Sequence, residues 1–493
     1  MAALRPLGPY ERYSLARAHV GVPPTVAFTA LLPLAAFRCR SPSDSTPPVH
    51  AAVNSLLDRY TLLRCGVTDR TTTKPRYIFH DGLTAEQVVG EGPTGSDAST
   101  AAALEAAMEC GARLVEGVGT SDAGFDLTNG PLWRVWVGSN GENGQRRLTL
   151  IVHHVISDGT STRNIMSELL ALMRDPPENE KPRVEGVPPT FEQSYDTRPD
   201  PSGALSPPPQ DGQLPLYLGT ALVPPRARPS SLKLLSLPSQ LVDGLKRFGK
   251  ANGVQTLHPT LYYAAVTAMA STFTSSSTSS DPSGSSPSFR IIGCTPYSFR
   301  NPALGHPFST GNYVASHFQS DTFPNLSSTS FWSTCSSFAK VLGDPASKAA
   351  GLQVRGRLSL VPDGEVQATA ETPARTRWED WVEEAADQGQ WGQTLELSNL
   401  GVLPPTGWEG DGLDEVYWVQ ASSATNAAVN LSPVAVKGGA LTITCTYRKC
   451  AVDEDTVSRF WRAFEGLLCL LAEGGIEAGQ TIEEVAARFA GRV

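Results

Sequence analysis

Two histidines stand side by side in "LTLIVHHVISDGTSTRNIMSELLALM", residues 148–173, although the chain of 493 residues holds only 8 His. His153 and His154 close an apolar run, and after three residues Asp158 and Gly159 follow. An imidazole titrates near neutral pH, so a neutral His can take a proton from an alcohol or amine as it attacks a carbonyl. Asp158, four residues beyond His154, has no partner in the local sequence and could orient the imidazole or pair with a distant Arg. The bland alternative is a His pair that caps a sheet edge. Two His, an Asp and a Gly at fixed spacing between a buried strand and an amphipathic segment favour chemistry over that alternative.

The elements that must position them are legible on either side. Residues 148–152 are short, aliphatic or β-branched, and too apolar for a strand with one wet face, so they predict a buried strand. Gly159 breaks that run, and Thr160, Ser161 and Thr162 offer hydroxyl caps for a helix. Beyond them Ile165, Leu169 and Leu172 recur at i, i+4 and i+7, with Met166, Leu170 and Met173 beside them, which predicts a core-facing helix. The His pair therefore lies on a strand-to-helix crossover, where open α/β architectures build their sites.

The rest of the composition narrows the class. A chain of 493 residues suits two domains of ordinary size. A net charge of −9 and the lack of any Lys/Arg cluster interleaved with aromatics argue against nucleic acid. The N-terminus has no apolar core of signal-peptide length and nothing is long enough to span a bilayer, so a cytoplasmic protein is expected, with peripheral membrane contact left open. The 8 cysteines are scattered without a CxxC, which predicts neither a disulfide framework nor a zinc site.

Two stretches look non-globular. Residues 175–231, rich in Pro, Gly and acidic side chains, predict a long crossover between two halves, and residues 271–288 predict a disordered Ser-rich loop. "GEGPTG" at 90–95 satisfies GxGxxG formally, but Pro93 sits in the turn and no clear strand precedes it, so no nucleotide site is read there. The expected domains are an N-terminal lobe at 1–195 with the His pair, a Pro-rich linker at 196–231, and a C-terminal lobe at 232–493. Strands are expected at 131–138 and 146–154 in the first half. In the second they are expected at 289–295, 394–398, 414–420, 431–436 and 440–447. Residues 47–67 are expected to be a helix running into a strand, and further helices are expected over 97–117, near 237–250 and from Pro259. A last amphipathic helix carries Val457, Phe460, Trp461, Phe464, Leu468 and Leu471.

"HHVISDG" resembles the HHxxxDG motif of the chloramphenicol-acetyltransferase-like superfamily, which includes condensation domains of peptide synthetases and many CoA-dependent acyltransferases. "FDLTNGPLWRV" (125–135) is similar to the segment before the motif strand in that superfamily. "RPLGPYERYSLARAHVGV", "GNYVAS" (311–316), "LELSNLGVLPP" (395–405) and residues 429–464 resemble the fungal alcohol acetyltransferase branch. Both halves are covered, with the Pro-rich and Ser-rich stretches as insertions. "QWGQTLELSNLG" stands at the nearest place to the DFGWG motif of plant relatives, which is absent.

The resemblance implies an α/β fold of two chloramphenicol-acetyltransferase-like lobes, each a mixed sheet with packed helices, and an active-site tunnel between them. It implies His154 as general base, His153 and Gly159 as structural support, and Asp158 paired with an Arg of the second lobe, best matched by Arg300. Asn312, Tyr313, Ser398 and Asn399 are expected near substrate. No metal and no permanently bound cofactor is expected, with acetyl-CoA or another acyl-CoA as co-substrate. The activity implied is O-acetylation of a small-molecule alcohol, a secondary-metabolite hydroxyl. An N-acyltransferase or a carrier-protein-dependent condensation-type enzyme is the alternative, and an inactive binding scaffold the third possibility.

Overall fold

A computed structural model describes residues 3–39, 45–93, 99–110, 124–140, 144–176, 186–198, 230–276, 289–323, 325–369, 374–387, 392–422, 427–449 and 451–490. Most of the Pro-rich crossover (199–229) and residues 277–288 of the Ser-rich stretch lie outside them, as do residues 111–117 of the Ala-rich helix and Cys450.

Two sheets dominate. The first has five strands in the order Val416–Gln420, Thr25–Pro33, Gln145–His153, Trp133–Asn140 and Val89–Glu91, all antiparallel except the last pair. The second has six, in the order Val314–Phe323, Phe289–Ser298, Gln393–Leu397, Ala427–Ala435, Leu441–Arg448 and Ser230–Leu237. Its two central pairings, on either side of Gln393–Leu397, are parallel. The expected fold class, a mixed α/β chain built on two lobes, is what the structure has.

The expected run at 148–152 is the buried centre of Gln145–His153, with Leu148, Leu150, Ile151 and Val152 in the first core. The helix after it, Gly159–Arg174, buries Ile165, Met166, Leu169, Leu170, Leu172 and Met173, as its spacing predicts. The closing helix Glu454–Ala472 also buries its apolar stripe, against the helices Leu257–Ser276 and Ser239–Ala251. Among the described residues no helix is long and apolar enough to cross a membrane.

Three expectations change. The Leu257–Ser276 helix continues through the first six residues of the Ser-rich stretch, because Ala and Tyr packing in the second core carries the helix past Ser271 and Thr272. Each of those two hydroxyls bonds back to a carbonyl three residues earlier in the helix. Strands Thr25–Pro33, Ser230–Leu237 and Val314–Phe323 were not expected. Finally, Val416–Gln420 follows the second lobe's chain but hydrogen-bonds along the edge of the first sheet. Leu403, Trp408, Leu413 and Trp418 from the same segment are buried in the first core. The contiguous 232–493 lobe is therefore interrupted by a segment that serves the other lobe.

That exchanged strand is tied to both sheets. Thr442, Thr444 and Thr446 point from one face of Leu441–Arg448 and donate to the carbonyls of Val416, Trp418 and Gln420 at 2.6, 2.6 and 3.1 Å. Arg448 continues the series with Nε to the Ser422 carbonyl at 2.9 Å. The alternation of strands explains the pattern: Leu441, Ile443, Cys445 and Tyr447 face the second core while the threonines between them face the first lobe.

Candidate active site

His153 ends its strand opposite Thr25, and the chain turns through Val155 and Ile156 before the helix begins. His153 is fully buried, edge-on to Phe125 at 5.5 Å, and its Nδ1 accepts from the Val155 N–H at 3.1 Å. Its Nε2 has no partner among the described residues, and burial pushes its pKa down to about 3. It is a neutral packing residue.

His154 points the other way. Its Nδ1 lies 3.0 Å from Asn312 Oδ1. The Asn312 Nδ2 donates to the carbonyls of His154 and Val155 at 2.7 and 3.1 Å. Carbonyls only accept, so the amide has one orientation, its oxygen faces the ring, and His154 Nδ1 must carry the hydrogen. The lone pair is then on Nε2. Burial lowers the His154 pKa first, and the charge of Arg17 adds to this, against opposing contributions from Asp158 and Asn312. At neutral pH the ring is an uncharged imidazole with a free basic nitrogen.

Asp158 caps the helix, a role that the sequence assigned to the hydroxyls after it. Its Oδ1 accepts from the Ser161 N–H at 2.7 Å, and its Oδ2 from the Tyr313 N–H at 2.8 Å. Burial works to raise its pKa, but Arg300 and the two amides outweigh it, and the carboxylate sits below its usual range. Arg300 approaches Asp158 Oδ1 at 3.5 Å, without the two-bond fork expected of that pair. The guanidinium spends its hydrogens elsewhere, on the Pro307, Thr310 and Gly311 carbonyls and the Ser161 hydroxyl.

The segment 310–313 docks on this crossover. Gly311 N–H donates to the Ile156 carbonyl at 2.8 Å and Asp158 N–H to the Gly311 carbonyl at 3.3 Å. Gly311 has φ +87, and a Cβ there would come within 2.7 Å of the Tyr313 ring, so only glycine fits. Asn312 and Tyr313 were expected near substrate. Asn312 is instead committed to His154 and its neighbour. Tyr313 turns away, stacked on His306 at 3.7 Å with its hydroxyl donating to the Pro189 carbonyl.

Ser398 and Asn399 lead out of Gln393–Leu397 toward the crossover. The Ser398 N–H is taken by the Leu431 carbonyl at 2.9 Å, and Asn399 Oδ1 accepts from Gly401 N–H at 2.9 Å, closing its own turn. Next to them Leu400 is the side chain that a Cβ on Gly159 would meet at 3.3 Å, and Arg163 Nη1 donates to the Leu400 carbonyl. The structure thus gathers the expected positions around one crossover, where His154 offers a basic nitrogen with its tautomer fixed.

Sequence reasoning missed the neighbours of that atom. Tyr10 meets the His154 ring edge-on at 5.4 Å, with the Arg355 guanidinium over the Tyr10 ring at 3.9 Å from its centre. Arg17, on the same Pro9–His19 helix, is buried and donates to the Pro23 carbonyl at 2.9 Å. Glu396 lies between Leu395 and Leu397, which face the second core, and so projects toward the first lobe. Burial raises its pKa to about 7, against opposing contributions from Gln420, which donates to it, and Arg17. The signals were present: the spacing of Tyr10, Ser14 and Arg17 is i, i+4, i+7, and Glu396 is a charge inside an apolar strand. Among the described residues no cluster of His, Cys, Asp and Glu could hold a metal ion.

No protein-family model matches this sequence, and no curated protein matches it. Solved structures do. The trichothecene 15-O-acetyltransferase of Fusarium sporotrichioides superposes with a TM-score of 0.62 over 95% of each chain, at 12% identity. The condensation domain of the Monacolin K polyketide synthase gives 0.59, covering 98% of this chain and 99% of its own, at 14% identity. The starter condensation domain of rhizomide synthetase, in complex with C8-CoA and Leu-SNAC, gives 0.58 over 98% and 96%, at 14% identity. Across nearly its whole length, the chain has the fold shared by that O-acetyltransferase and those condensation domains.

Proposed function

We propose that this protein is an acyl-CoA-dependent O-acyltransferase, acting as an O-acetyltransferase on the hydroxyl of a small secondary metabolite. The observation that carries the reading is the His154–Asn312 arrangement, which fixes a neutral imidazole with its basic Nε2 uncommitted. His154 is the general base and Asp158 holds its loop, with His153, Gly159 and Arg300 supporting the crossover. The likeness to an O-acetyltransferase and to condensation domains supports acyl transfer in general.

The step runs without an acyl-enzyme. The acceptor O–H gives its proton to His154 Nε2 as the oxygen forms a bond to the thioester carbonyl carbon. The tetrahedral adduct collapses, the C–S bond breaks, and the departing CoA thiolate takes the proton back from Nε2. Ester and free CoA leave, and the histidine returns neutral. A tunnel between the lobes would bring acyl-CoA and acceptor to this atom from opposite sides.

The test is thioester consumption with acetyl-CoA and a panel of small, terpenoid and aromatic alcohols, with the product identified by mass. Alcohol-dependent release of CoA, unaffected by chelator, is expected. Turnover only with amines or with carrier-bound acyl groups would replace this reading with the N-acyl or condensation-type one. No turnover with any acceptor would leave a binding scaffold.

A further inference from the structure

One face near His154 is polar, buried and largely unpartnered. On the first lobe, Ser14 is fully buried and its hydroxyl has no hydrogen-bond partner among the described residues, and neither does Arg17 Nε. Both share the helix face of Tyr10, which touches His154. On the second lobe, Glu396 pairs in register with Cys294 on one side and Asn430 on the other. Ser432 follows two residues beyond Asn430 on the same face. Asn430 Oδ1 and the Ser432 hydroxyl are likewise buried and without partners. The lobes meet here: Gln420, in register with Val26 and through it with Val152 beside the His pair, donates to Glu396.

Buried polar groups in folded proteins are almost always paired, so orphans on the Tyr10 face of one lobe and the Glu396 face of the other mark a surface built for a polar occupant. The groups are of both kinds. Arg17 Nε–H and the Ser14 hydroxyl donate, while Glu396 and Asn430 Oδ1 accept. Hydroxyl groups, each a donor and an acceptor, match that mixture. A hydrocarbon alcohol would leave it unsatisfied, and a cationic acceptor would face Arg17.

We infer that Tyr10, Ser14, Arg17, Glu396, Asn430 and Ser432 form the acceptor pocket, and that it takes a neutral polyhydroxylated molecule, one hydroxyl on His154 Nε2 and a second held by Glu396. This rests on the acyltransferase reading for the identity of the first hydroxyl, and it adds Glu396 as the residue that sets acceptor specificity. Gln420, donating to the same carboxyl group, keeps it aimed.

The experiment compares acetyl transfer from acetyl-CoA to matched pairs: cyclohexanol against vicinal cyclohexanediol, and menthol against a menthane diol. A site built to bond a second hydroxyl should favour each diol in kcat/KM by on the order of 10²–10⁴-fold. In Glu396→Leu and in Ser432→Ala the margin should shrink to within about 10-fold, through the acceptor KM, while the KM for acetyl-CoA holds. Thermal melts confirm that each variant is folded, and Ser432→Ala removes only an unpartnered oxygen. Calorimetric binding of vicinal cyclohexanediol to the wild type and both variants is measured alongside. Equal kcat/KM within each pair, or diol binding unchanged by both substitutions, overturns the polyol pocket. If no alcohol is acetylated, the acyltransferase reading fails. Calorimetry then decides the pocket alone: diol bound more tightly than cyclohexanol, and less so by both variants, upholds it, and no difference overturns it.

Discussion

Asn312 holds His154 in a single tautomer: its Oδ1 takes the Nδ1 hydrogen at 3.0 Å while its Nδ2 grips the carbonyls of His154 and Val155. The imidazole and the residue that orients it come from opposite halves of the chain. Asn312→Ala frees the ring to rotate and to place its hydrogen on Nε2, so kcat should fall roughly 10–100-fold, a loss typical for an orienting partner. Because the Asn312 hydrogen bond raises the His154 pKa, its loss should also move the acidic limb of the kcat/KM profile to lower pH. An unchanged pH profile with unchanged kcat would show that the ring needs no such hold.

The two histidines should separate cleanly. His154→Ala removes the base, and kcat should drop by about 10²–10⁴-fold with little change in acyl-CoA affinity. His153 accepts from a backbone amide, packs on Phe125 and offers nothing to a substrate. His153→Ala should therefore lower the melting temperature, with the remaining folded protein far more active than His154→Ala. A larger catalytic defect at His153, measured per folded molecule, would reverse the assignment.

Asp158 and Arg300 should be unequal partners. With Arg300 removed, the carboxylate keeps the amides of Ser161 and Tyr313. With Asp158 removed, a helix loses its cap, Tyr313 N–H loses its acceptor, and a buried guanidinium loses its counter-charge. Asp158→Ala should cost about 3–5 kcal/mol, the usual penalty for an uncompensated buried charge, and Arg300→Ala less. At 3.5 Å and without a fork, the coupling in a double-mutant cycle should be nearer 1 kcal/mol than 3. Chemical denaturation of the four proteins measures it, and a coupling of several kcal/mol would show a tighter pair than the geometry allows.

What the sequence made legible is what short-range pattern controls. The apolar run, the crossover and the helix from Gly159 follow from spacing within about thirty residues, and so do His154 and Asp158. Two partners of those residues lie more than 150 positions away, where no local period operates: Asn312 and Tyr313 reach back to the crossover through a loop turned by Gly311. Glu396 is visible as a charge in an apolar strand and Arg17 by its helical spacing from Tyr10, but no local pattern says what either one faces. The exchange of Val416–Gln420 is equally illegible, since an apolar strand carries no mark of which sheet it joins. The threonines at 442, 444 and 446 lie in an expected strand, 440–447, and donate to the carbonyls of the exchanged one.

Those threonines give a direct test of the lobe connection. Replacing each by Val keeps shape and β-propensity but leaves a carbonyl of the exchanged strand without its donor. Each substitution should cost on the order of 1–3 kcal/mol. The triple variant should lose protection of the Val416–Gln420 amides in hydrogen exchange before that of the central Gln145–His153 strand. Uniform loss across the first sheet would show that the strand is held by the sheet edge and not by the threonines.

Acid stability should reflect a contest between buried imidazoles and the buried carboxyl groups of Glu396 and Asp321, both raised by burial. Burial lowers His153 to about 3, His258 to about 4 and His306 to about 4, and brings His154 and His317 down as well. The unfolded chain therefore binds these protons first, so stability is lost as pH falls below the ordinary imidazole value near 6.5. Glu396 acts with the opposite sign. Its folded pKa of about 7 lies above the ordinary 4.5, so its contribution is fully present below 4.5 and is lost as pH rises through 7. Glu396→Gln mimics the protonated acid at every pH. It should leave stability near pH 5 almost unchanged and raise it at pH 8, by up to about 3 kcal/mol for a shift of that size. Denaturant unfolding of wild type and variant at both pH values measures the difference. Equal gains at the two pH values would mean that Glu396 does not titrate between them.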